Sequence, residues 1–456
     1  MVIPASKSHT IRALLTATIA GGTSIVANPL DSNDAASCLE TCKAFGAEIR
    51  EIPEGWGVYN RALEIKGVGH GPGGILHHPP ANIVDVGNSG TTEYLAAGIA
   101  ALSPGFTVFT GDHQIRNRPV ENLLASLRDL GATAFTTRNN GKAPFVLGGP
   151  ILGGKTRIEC PTSQFLSSLM LALPLAQGNS EIQVPLLYEQ PYAEMTAWWL
   201  NELGITFTNE NWKRLFIPGN QTYRNFTKAV PGDFSSATFF GVAAAITGSE
   251  LTLEGLNMAD SQGDKAVFQF LTLMGCRVDY LADNKIVSSS AQDSPKGQEA
   301  FDLACQEGTT AIRIAGPGYY GEKLKGGVFD LNATPDALPA LAVTGCFACE
   351  PVELVNVAQA RLKETDRIHV MSIELSKMGA HIRELKDGLL IQPQEGLQGA
   401  DVEGWHDHRV VMSLSIGGLA ARGKTRITDA EAADVTFPGF FTILKNHGNH
   451  NCVTVD

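Results

Sequence analysis

Seven consecutive residues, Arg361-Leu362-Lys363-Glu364-Thr365-Asp366-Arg367, place three cations and two carboxylates at the mouth of an apolar run. Such a group can hold an anion through its cations, or move a proton through a carboxylate kept beside them. It can equally be a solvated charge run paired at i,i+3 and i,i+4. Ile368, Met371, Leu375 and Met378 recur at near-helical spacing and Gly379 stops the run, so the charged segment lies just before or on the first turn of a helix. A helix N-terminus flanked by Lys and Arg is a natural anion site.

Similar chemistry recurs elsewhere. Lys7 follows a Pro-Ala-Ser turn, and Arg12 lies one helical turn beyond Ser8, so two cations and a hydroxyl share a face. Asn88, Ser89, Gly90 and Thr91 form a small-residue turn able to hold an anion by backbone donors, and Arg116 and Arg118 follow. Thr162, Ser163 and Gln164 offer hydroxyl and amide donors for an oxyanion or a sugar-like hydroxyl. Asp336 precedes an almost wholly apolar run, which predicts poor solvation, a raised pKa and a role as a base; capping its helix is the other reading. Glu364 is a candidate proton donor or a structural ion-pair partner, and His408, beside Asp407 and Arg409, either orients the arginine or packs. Any one of these motifs can be read as a helix cap. Capping alone does not explain why they also carry Lys7, Arg12, Arg118, Arg367 and Arg409.

The elements that must position these residues repeat. A polar, small-residue motif opens an Ala/Leu-rich helix, followed by a glycine turn and a short strand; a second helix then ends in glycine and leads to another strand. Openings fall at Ser6-Lys7-Ser8, Ser89-Gly90-Thr91, Thr162-Ser163-Gln164, Asp233-Phe234-Ser235, Thr334-Pro335-Asp336 and His406-Asp407-His408. Closings fall at Phe45-Gly46-Ala47, Leu130-Gly131-Ala132, Leu203-Gly204-Ile205, Met274-Gly275-Cys276, Met378-Gly379-Ala380 and His447-Gly448-Asn449. The period, roughly 70 to 100 residues, is that of α/β subdomains rather than of a solenoid. Six units divide most simply into two domains of three, residues 6–230 and 231–456, with residues 1–5 able to join the second. The stretch from Gln292 to Gly321 lengthens the fourth unit and reads as an inserted loop or hairpin.

A chain of 456 residues is too long for one ordinary core, which also favours two domains. Apolar content of 43% with 18% charged residues describes a folded rather than a disordered chain. There is neither an apolar run of membrane-spanning length nor a basic-then-apolar leader, so the expectation is a cytoplasmic protein without membrane contact. A net charge of −12 argues against nucleic acid as a partner, while leaving room for a local basic pocket. The eight cysteines sit mostly in apolar segments. Cys346-x-x-Cys349 lacks the second pair a zinc site needs, so buried thiols are expected.

Together these motifs resemble the 5-enolpyruvylshikimate-3-phosphate (EPSP) synthases of the enolpyruvyl transferase family. The resemblance runs through Pro4-Ala5-Ser6-Lys7-Ser8-His9-Thr10-Ile11-Arg12, Gly87-Asn88-Ser89-Gly90-Thr91, Arg116-Asn117-Arg118-Pro119, Thr162-Ser163-Gln164-Phe165, Pro231-Gly232-Asp233-Phe234, Thr334-Pro335-Asp336-Ala337, Leu362-Lys363-Glu364-Thr365-Asp366-Arg367 and Asp407-His408-Arg409. It implies an α/β fold of two similar domains, each three βαβαββ units in a pseudo-threefold, inside-out barrel-like arrangement. It also implies shikimate 3-phosphate and phosphoenolpyruvate as substrates, no metal or organic cofactor, and a monomer. Ser8 and Arg12 would then hold the shikimate carboxylate, and Thr162, Ser163 and Gln164 its 3-phosphate and ring. Lys7, Arg118, Arg367 and Arg409 would bind phosphoenolpyruvate, with Asn88, Gly90 and His408 completing the site. Asp336 with Lys363 would take the proton of the 5-hydroxyl, and Glu364 would protonate carbon 3. Closure of the domains would exclude water.

Three positions depart from the family pattern: Glu189 where a phosphate-binding Ser is usual, Tyr94 where an Arg is common, and Val435 where many members have a Lys. The short strand that precedes the Lys7 motif in the family is also expected to be missing, through a truncated or shifted start. Two other readings follow from these departures: enolpyruvyl transfer to a different hydroxylated acceptor, and a non-catalytic anion-binding relative. The UDP-N-acetylglucosamine enolpyruvyl transferases fit less well, lacking counterparts for their Lys-Asn opening and loop cysteine.

Overall fold

The computed structural model describes residues 1–69, 81–290, 296–447 and 453–455. The chain divides into two compact units, Lys7–Val230 and a second made of Met1–Ser6 with Pro231–Asp456.

In Lys7–Val230 the helices are α1 (Lys7–Ile19), α2 (Asn33–Ala44), α3 (Gly90–Ala100), α4 (Glu121–Asp129), α5 (Gln164–Ala172) and α6 (Gln190–Glu202). Helices α1, α3 and α5 are the ones opened by the polar motifs, and they are buried over almost their whole length because apolar and small hydroxyl side chains predominate on every face beyond the first turn. They pack on one another in the interior of the unit, and small residues set how closely they approach. A side chain at Gly98 of α3 would meet the Ser168 carbonyl oxygen at 2.6 Å, and the Gly98 N–H donates to the Ser168 hydroxyl at 3.1 Å. Replacing Gly98 by Val would therefore force α3 and α5 apart.

Three four-stranded sheets carry the remaining strands, each with one parallel and two antiparallel pairings. In the second repeat Ile83–Asp85 pairs in parallel with Gly105–Thr110, which pairs antiparallel with Phe145–Gly149, and Thr133–Thr136 closes the edge. The third repeat is built alike from Gly154–Cys160, Ser180–Leu187, Arg214–Ile217 and Thr208–Glu210. In the first repeat the parallel strand comes from far along the chain: Thr227–Ala229 pairs with Thr23–Ala27.

The second unit contains α7 (Phe234–Thr247), α8 (Ala266–Leu273), α9 (Lys296–Glu307), α10 (Leu338–Gly345), α11 (Arg367–Lys377), α12 (His408–Ala420) and α13 (Phe440–His447). Its buried central helices are α7, α10 and α12, again those that the polar motifs open. Its first sheet takes its parallel partner from the chain start, with the Ile3 N–H donating to the Glu254 carbonyl at 3.0 Å and the Glu254 N–H to the Met1 carbonyl at 2.8 Å. This corrects the expectation that nothing of a leading strand precedes Lys7. The segment Met1–Ile3 supplies it, too short to show a strand pattern in sequence.

A second correction concerns the long fourth unit. Residues 291–295 lie outside the described residues, but α9 is a helix with Ala300, Phe301 and Ala304 turned into the core, and Ala311–Ala315 is a central strand paired on both sides. The insertion is the strand Lys285–Ser289 with α9, placed between two strands that the other repeats join directly. Charged residues on the exposed face of α9 hid its apolar i, i+1, i+4 face. Five of the closing glycines have left-handed φ, for example 99° at Gly46 and 86° at Gly379, where a side chain would be strained. The sixth, Gly448, lies outside the described residues. The sixth repeat shows only the two-stranded pairing of Asp401–Val402 with Arg426–Ile427 among the described residues, short of a full βαβαββ unit.

Candidate active site

In Lys7–Val230 the six-motif pattern puts its polar residues at the N-termini of α1, α3 and α5. Lys7 opens α1 and pairs with the buried Asp34 of α2 at 3.2 Å. Arg12, one turn on, is 1% exposed and donates from Nε to the Thr196 hydroxyl at 2.8 Å, from Nη2 to the Tyr192 carbonyl at 2.9 Å, and from Nη1 to the Ser8 carbonyl at 3.1 Å. Burial lowers its pKa to about 10, against a raising contribution from Tyr192, so it stays a cation at neutral pH. Arg12 thus braces α1 against α6 as well as carrying charge.

At the start of α3 the Ser89 hydroxyl accepts from the Thr92 N–H, and Asn88 donates to Asp112 at 2.6 Å and to Gln114 at 2.5 Å. A Cβ at Gly90 would lie 2.0 Å from Nη1 of Arg118, so a side chain there would displace the guanidinium from the helix end. One turn below, Glu93 is 1% exposed and its Oε1 has no hydrogen-bond partner among the described residues. Burial pushes its carboxyl up to about 8, against the pull of Arg118 and with a small push from Asp112. Sequence reading missed this residue, although an acid inside the apolar Gly90–Ala100 helix was the available signal.

At α5, Gln164 donates from Nε2 to the Thr91 hydroxyl at 3.2 Å, linking the second and third motifs. The Ser163 hydroxyl is buried without a hydrogen-bond partner among the described residues. Thr162 donates to Oε2 of Glu189 at 3.2 Å; Glu189 is 1% exposed and left-handed, with φ 58°. Its carboxylate therefore lies beside the donor cluster rather than turned away. Tyr94 is turned into the core, its ring edge-on to Phe165 and its hydroxyl donating to the Pro119 carbonyl at 2.9 Å. Val435 ends a short 3₁₀ turn, Ala430–Val435, half-buried.

The second unit assembles the opposite kind of site. Arg367, the first residue of α11, is 1% exposed and contacts three carboxylates: Asp336 at 2.8 Å, Glu364 at 2.6 Å and Asp407 at 2.8 Å. Burial disfavours its charge, but Asp407, Glu364 and Asp336 outweigh burial and hold it firmly protonated. Asp407 is fully buried, caps α12 by accepting from the Arg409 N–H at 2.9 Å, and also accepts from the Thr365 hydroxyl at 3.3 Å. Arg409 reaches the second oxygen of Asp336 at 3.0 Å, and Lys363 approaches its first at 3.8 Å. His408 is buried with Nδ1 3.9 Å from Asp407.

Asp336 does not have the raised pKa its apolar surroundings predict. Burial does push the carboxyl up, but Arg409, Lys363 and Arg367 together more than offset it and hold the group well below the usual carboxylate range, with Glu364 opposing them. The sequence showed the apolar run after Asp336; it did not show that two later segments would bring three cations to it. Three cations, Lys363, Arg367 and Arg409, face three carboxylates, Asp336, Glu364 and Asp407, so the cluster is balanced in charge. Asp366 stands outside it, capping α11 through the His369 N–H at 3.0 Å and pairing with Arg361 at 2.7 Å.

Among the described residues, no group of acids, His and Cys has the arrangement of a metal site, and no helix is long and apolar enough to cross a membrane. Cys38, Cys42, Cys160, Cys276 and Cys346 are buried, and burial pushes the Cys346 thiol up to about 12; Cys349, expected to be buried with it, is instead exposed in the turn after α10, and Cys452 lies outside the described residues.

The family model for EPSP synthase (3-phosphoshikimate 1-carboxyvinyltransferase) matches residues 1–444. This chain belongs to the EPSP synthase family. It is 47% identical over 446 residues to a 3-phosphoshikimate 1-carboxyvinyltransferase of Ruminiclostridium cellulolyticum, covering 98% of this chain and 95% of that protein. The same identity and coverage hold for a 3-phosphoshikimate 1-carboxyvinyltransferase of Acetivibrio thermocellus. A solved EPSP synthase structure from Acinetobacter baumannii matches with a TM-score of 0.75 at 26% identity, over 98% of this chain and 95% of that one. The repeated α/β units are thus those of a transferase family with a known two-domain fold.

Proposed function

We propose that the chain transfers the enolpyruvyl group of phosphoenolpyruvate to the 5-hydroxyl of shikimate 3-phosphate, releasing phosphate. The observation that carries this reading is the charge-balanced cluster in which Asp336 and Glu364 share Arg367, within a chain of the EPSP synthase family. A strongly ionised Asp336 is a weak base. A phosphoenolpyruvate carboxylate or phosphate would draw Lys363, Arg367 and Arg409 to itself, removing what depresses Asp336 and raising its pKa toward a useful range. Anion binding and base activation are then one event.

Asp336, with Lys363 beside it, takes the proton of the 5-hydroxyl as that oxygen bonds to carbon 2, while Glu364, which takes up a proton once the anion draws Arg367 from it, gives that proton to carbon 3. In the second step the carbon 2–phosphate bond breaks, carbon 3 returns a proton, and the double bond re-forms as an enol ether. Lys7, Arg118, Arg367 and Arg409 bind phosphoenolpyruvate, where guanidinium forks match carboxylate and phosphate geometry. Ser8 and Arg12 hold the acceptor's carboxylate; Thr162, Ser163 and Gln164 hold its phosphate and ring; Asn88, Gly90 and His408 shape the helix ends. On this reading the chain serves the shikimate pathway to chorismate and the aromatic amino acids, in the cytoplasm and as a monomer.

A second reading, transfer to a different hydroxylated acceptor, is favoured by Glu189, because a buried carboxylate beside Thr162 repels a phosphate and welcomes a hydroxyl. Phosphorus NMR of protein mixed with phosphoenolpyruvate and either shikimate 3-phosphate or shikimate decides between them. Inorganic phosphate and enol ether with the phosphorylated acceptor support the first reading; preference for shikimate supports the second. No turnover with either contradicts the first reading.

A further inference from the structure

Just before Asp407, two consecutive residues with side chains, Trp405 and His406, have left-handed backbones, with φ of 56° and 51°. One such residue is uncommon; the other consecutive non-glycine pairs among the described residues, Asn211–Trp212 and Asp283–Asn284, are the tips of hairpins, whereas this pair lies outside a hairpin and is held by its surroundings. The fixing groups are identifiable. The Trp405 indole N–H donates to Oε1 of Glu374 at 2.9 Å, and the Glu403 N–H donates to Oε2 of the same carboxylate at 3.0 Å. On the other side Asp429 accepts from the His406 N–H at 3.2 Å and faces its Nδ1 at 3.2 Å, while the Gly404 N–H donates to the Thr428 hydroxyl at 3.1 Å. Gly404 itself has no room for a side chain, since a Cβ would lie 2.4 Å from the Thr428 carbonyl oxygen.

Glu374 is 0% exposed, and its charge is balanced by Lys377 at 2.8 Å. It lies seven residues after Arg367 on α11, two helical turns on, so the two side chains share a face. That face grips the 403–407 loop at two points, through Arg367 to Asp407 and through Glu374 to Trp405 and Glu403. Asp407 in turn receives the Arg409 N–H, so the loop's path sets where both arginines point.

We infer that Glu374 is a positioning residue for phosphoenolpyruvate binding: it holds the left-handed Trp405–His406 turn and thereby aims Asp407, Arg367 and Arg409. This rests on the function proposed above, but its geometric part is testable without turnover. Glu374→Gln puts an amide N–H₂ against one of two N–H donors and breaks one arm of the grip. Trp405→Phe, at a partly exposed ring, removes only the indole donor and covers the case in which the Gln variant does not fold. Amide hydrogen exchange followed residue by residue should accelerate at least tenfold at 404–407 in Glu374→Gln and less in Trp405→Phe, with α10 unchanged. In steady-state assays KM for phosphoenolpyruvate should rise about tenfold and about threefold respectively, with KM for shikimate 3-phosphate within twofold of wild type. A merely structural role predicts a lower melting temperature with both KM values unmoved, which overturns the inference. So does unchanged exchange at 404–407. If the wild-type protein shows no turnover, the proposed function fails, and the exchange data still decide whether Glu374 holds the turn.

Discussion

The two units use the same repeat for different electrostatic work. In Lys7–Val230 the helix that the second motif opens is capped by a hydroxyl, Ser89, with Ser163 buried at the third motif without a hydrogen-bond partner among the described residues, while Lys7, Arg118 and Glu189 bring charge beside these ends. In the second unit the helix caps are carboxylates, Asp233, Asp366 and Asp407, and Asp407 binds an arginine besides. A helix end without a capping carboxylate is ready to receive an anion. An end already occupied by a carboxylate instead stores cations, which an incoming anion must share. The first arrangement suits recognition of an acceptor, and under the proposed mechanism the second would couple binding to proton transfer.

The largest expected effect tests the storing role of the second unit. Asp336→Asn should lower kcat by about 10²- to 10⁴-fold, the range for loss of a general base, in a stopped assay of phosphate release. Arg367→Met leaves Asp407 and Glu364 buried without their cation and should destabilise the unit by about 3–5 kcal/mol in urea denaturation.

Glu93 sharpens the comparison from the other side, as a buried acid with a raised pKa just inside the hydroxyl-capped helix α3. A raised folded pKa means that the unfolded chain ionises first, near pH 4, so stability falls as pH rises from there to about 8 and then levels off. Glu93→Gln should therefore match wild type at pH 4 and be more stable by about 3 kcal/mol at pH 7–8. Asp336 has the reverse sign: its lowered pKa contributes stability above pH 4 that is lost on acidification toward its folded value. Smaller still, Glu189→Ser should lower KM for shikimate 3-phosphate about fivefold by removing one like charge, about 1 kcal/mol, from beside Thr162. Asp366→Ala should cost about 1 kcal/mol of stability through loss of the α11 cap.

The openings of the central helices were legible because capping is local chemistry: Ser89, Asp233 and Asp407 each bond a backbone N–H within three residues. Long-range pairing was not. Nothing near Asp336 announces Arg409, and nothing near Arg367 announces Asp407, so the electrostatic state of the proton-transfer candidate was read with the wrong sign. Strand exchange was equally hidden, since Thr227–Ala229 and Met1–Ile3 each pair with a strand far away in the chain. Among the departures from the family pattern, Tyr94 proves to be a core residue, while Glu189 stays beside the donor cluster.

Phosphate release from phosphoenolpyruvate in the presence of shikimate 3-phosphate, measured side by side for wild type and Asp336→Asn, tests the link between cation storage and transfer most directly. The expected result is stoichiometric phosphate and enol ether from wild type, and a rate at least a hundredfold lower from a folded Asp336→Asn protein. Equal rates from the two proteins, or no phosphate from wild type, would contradict it.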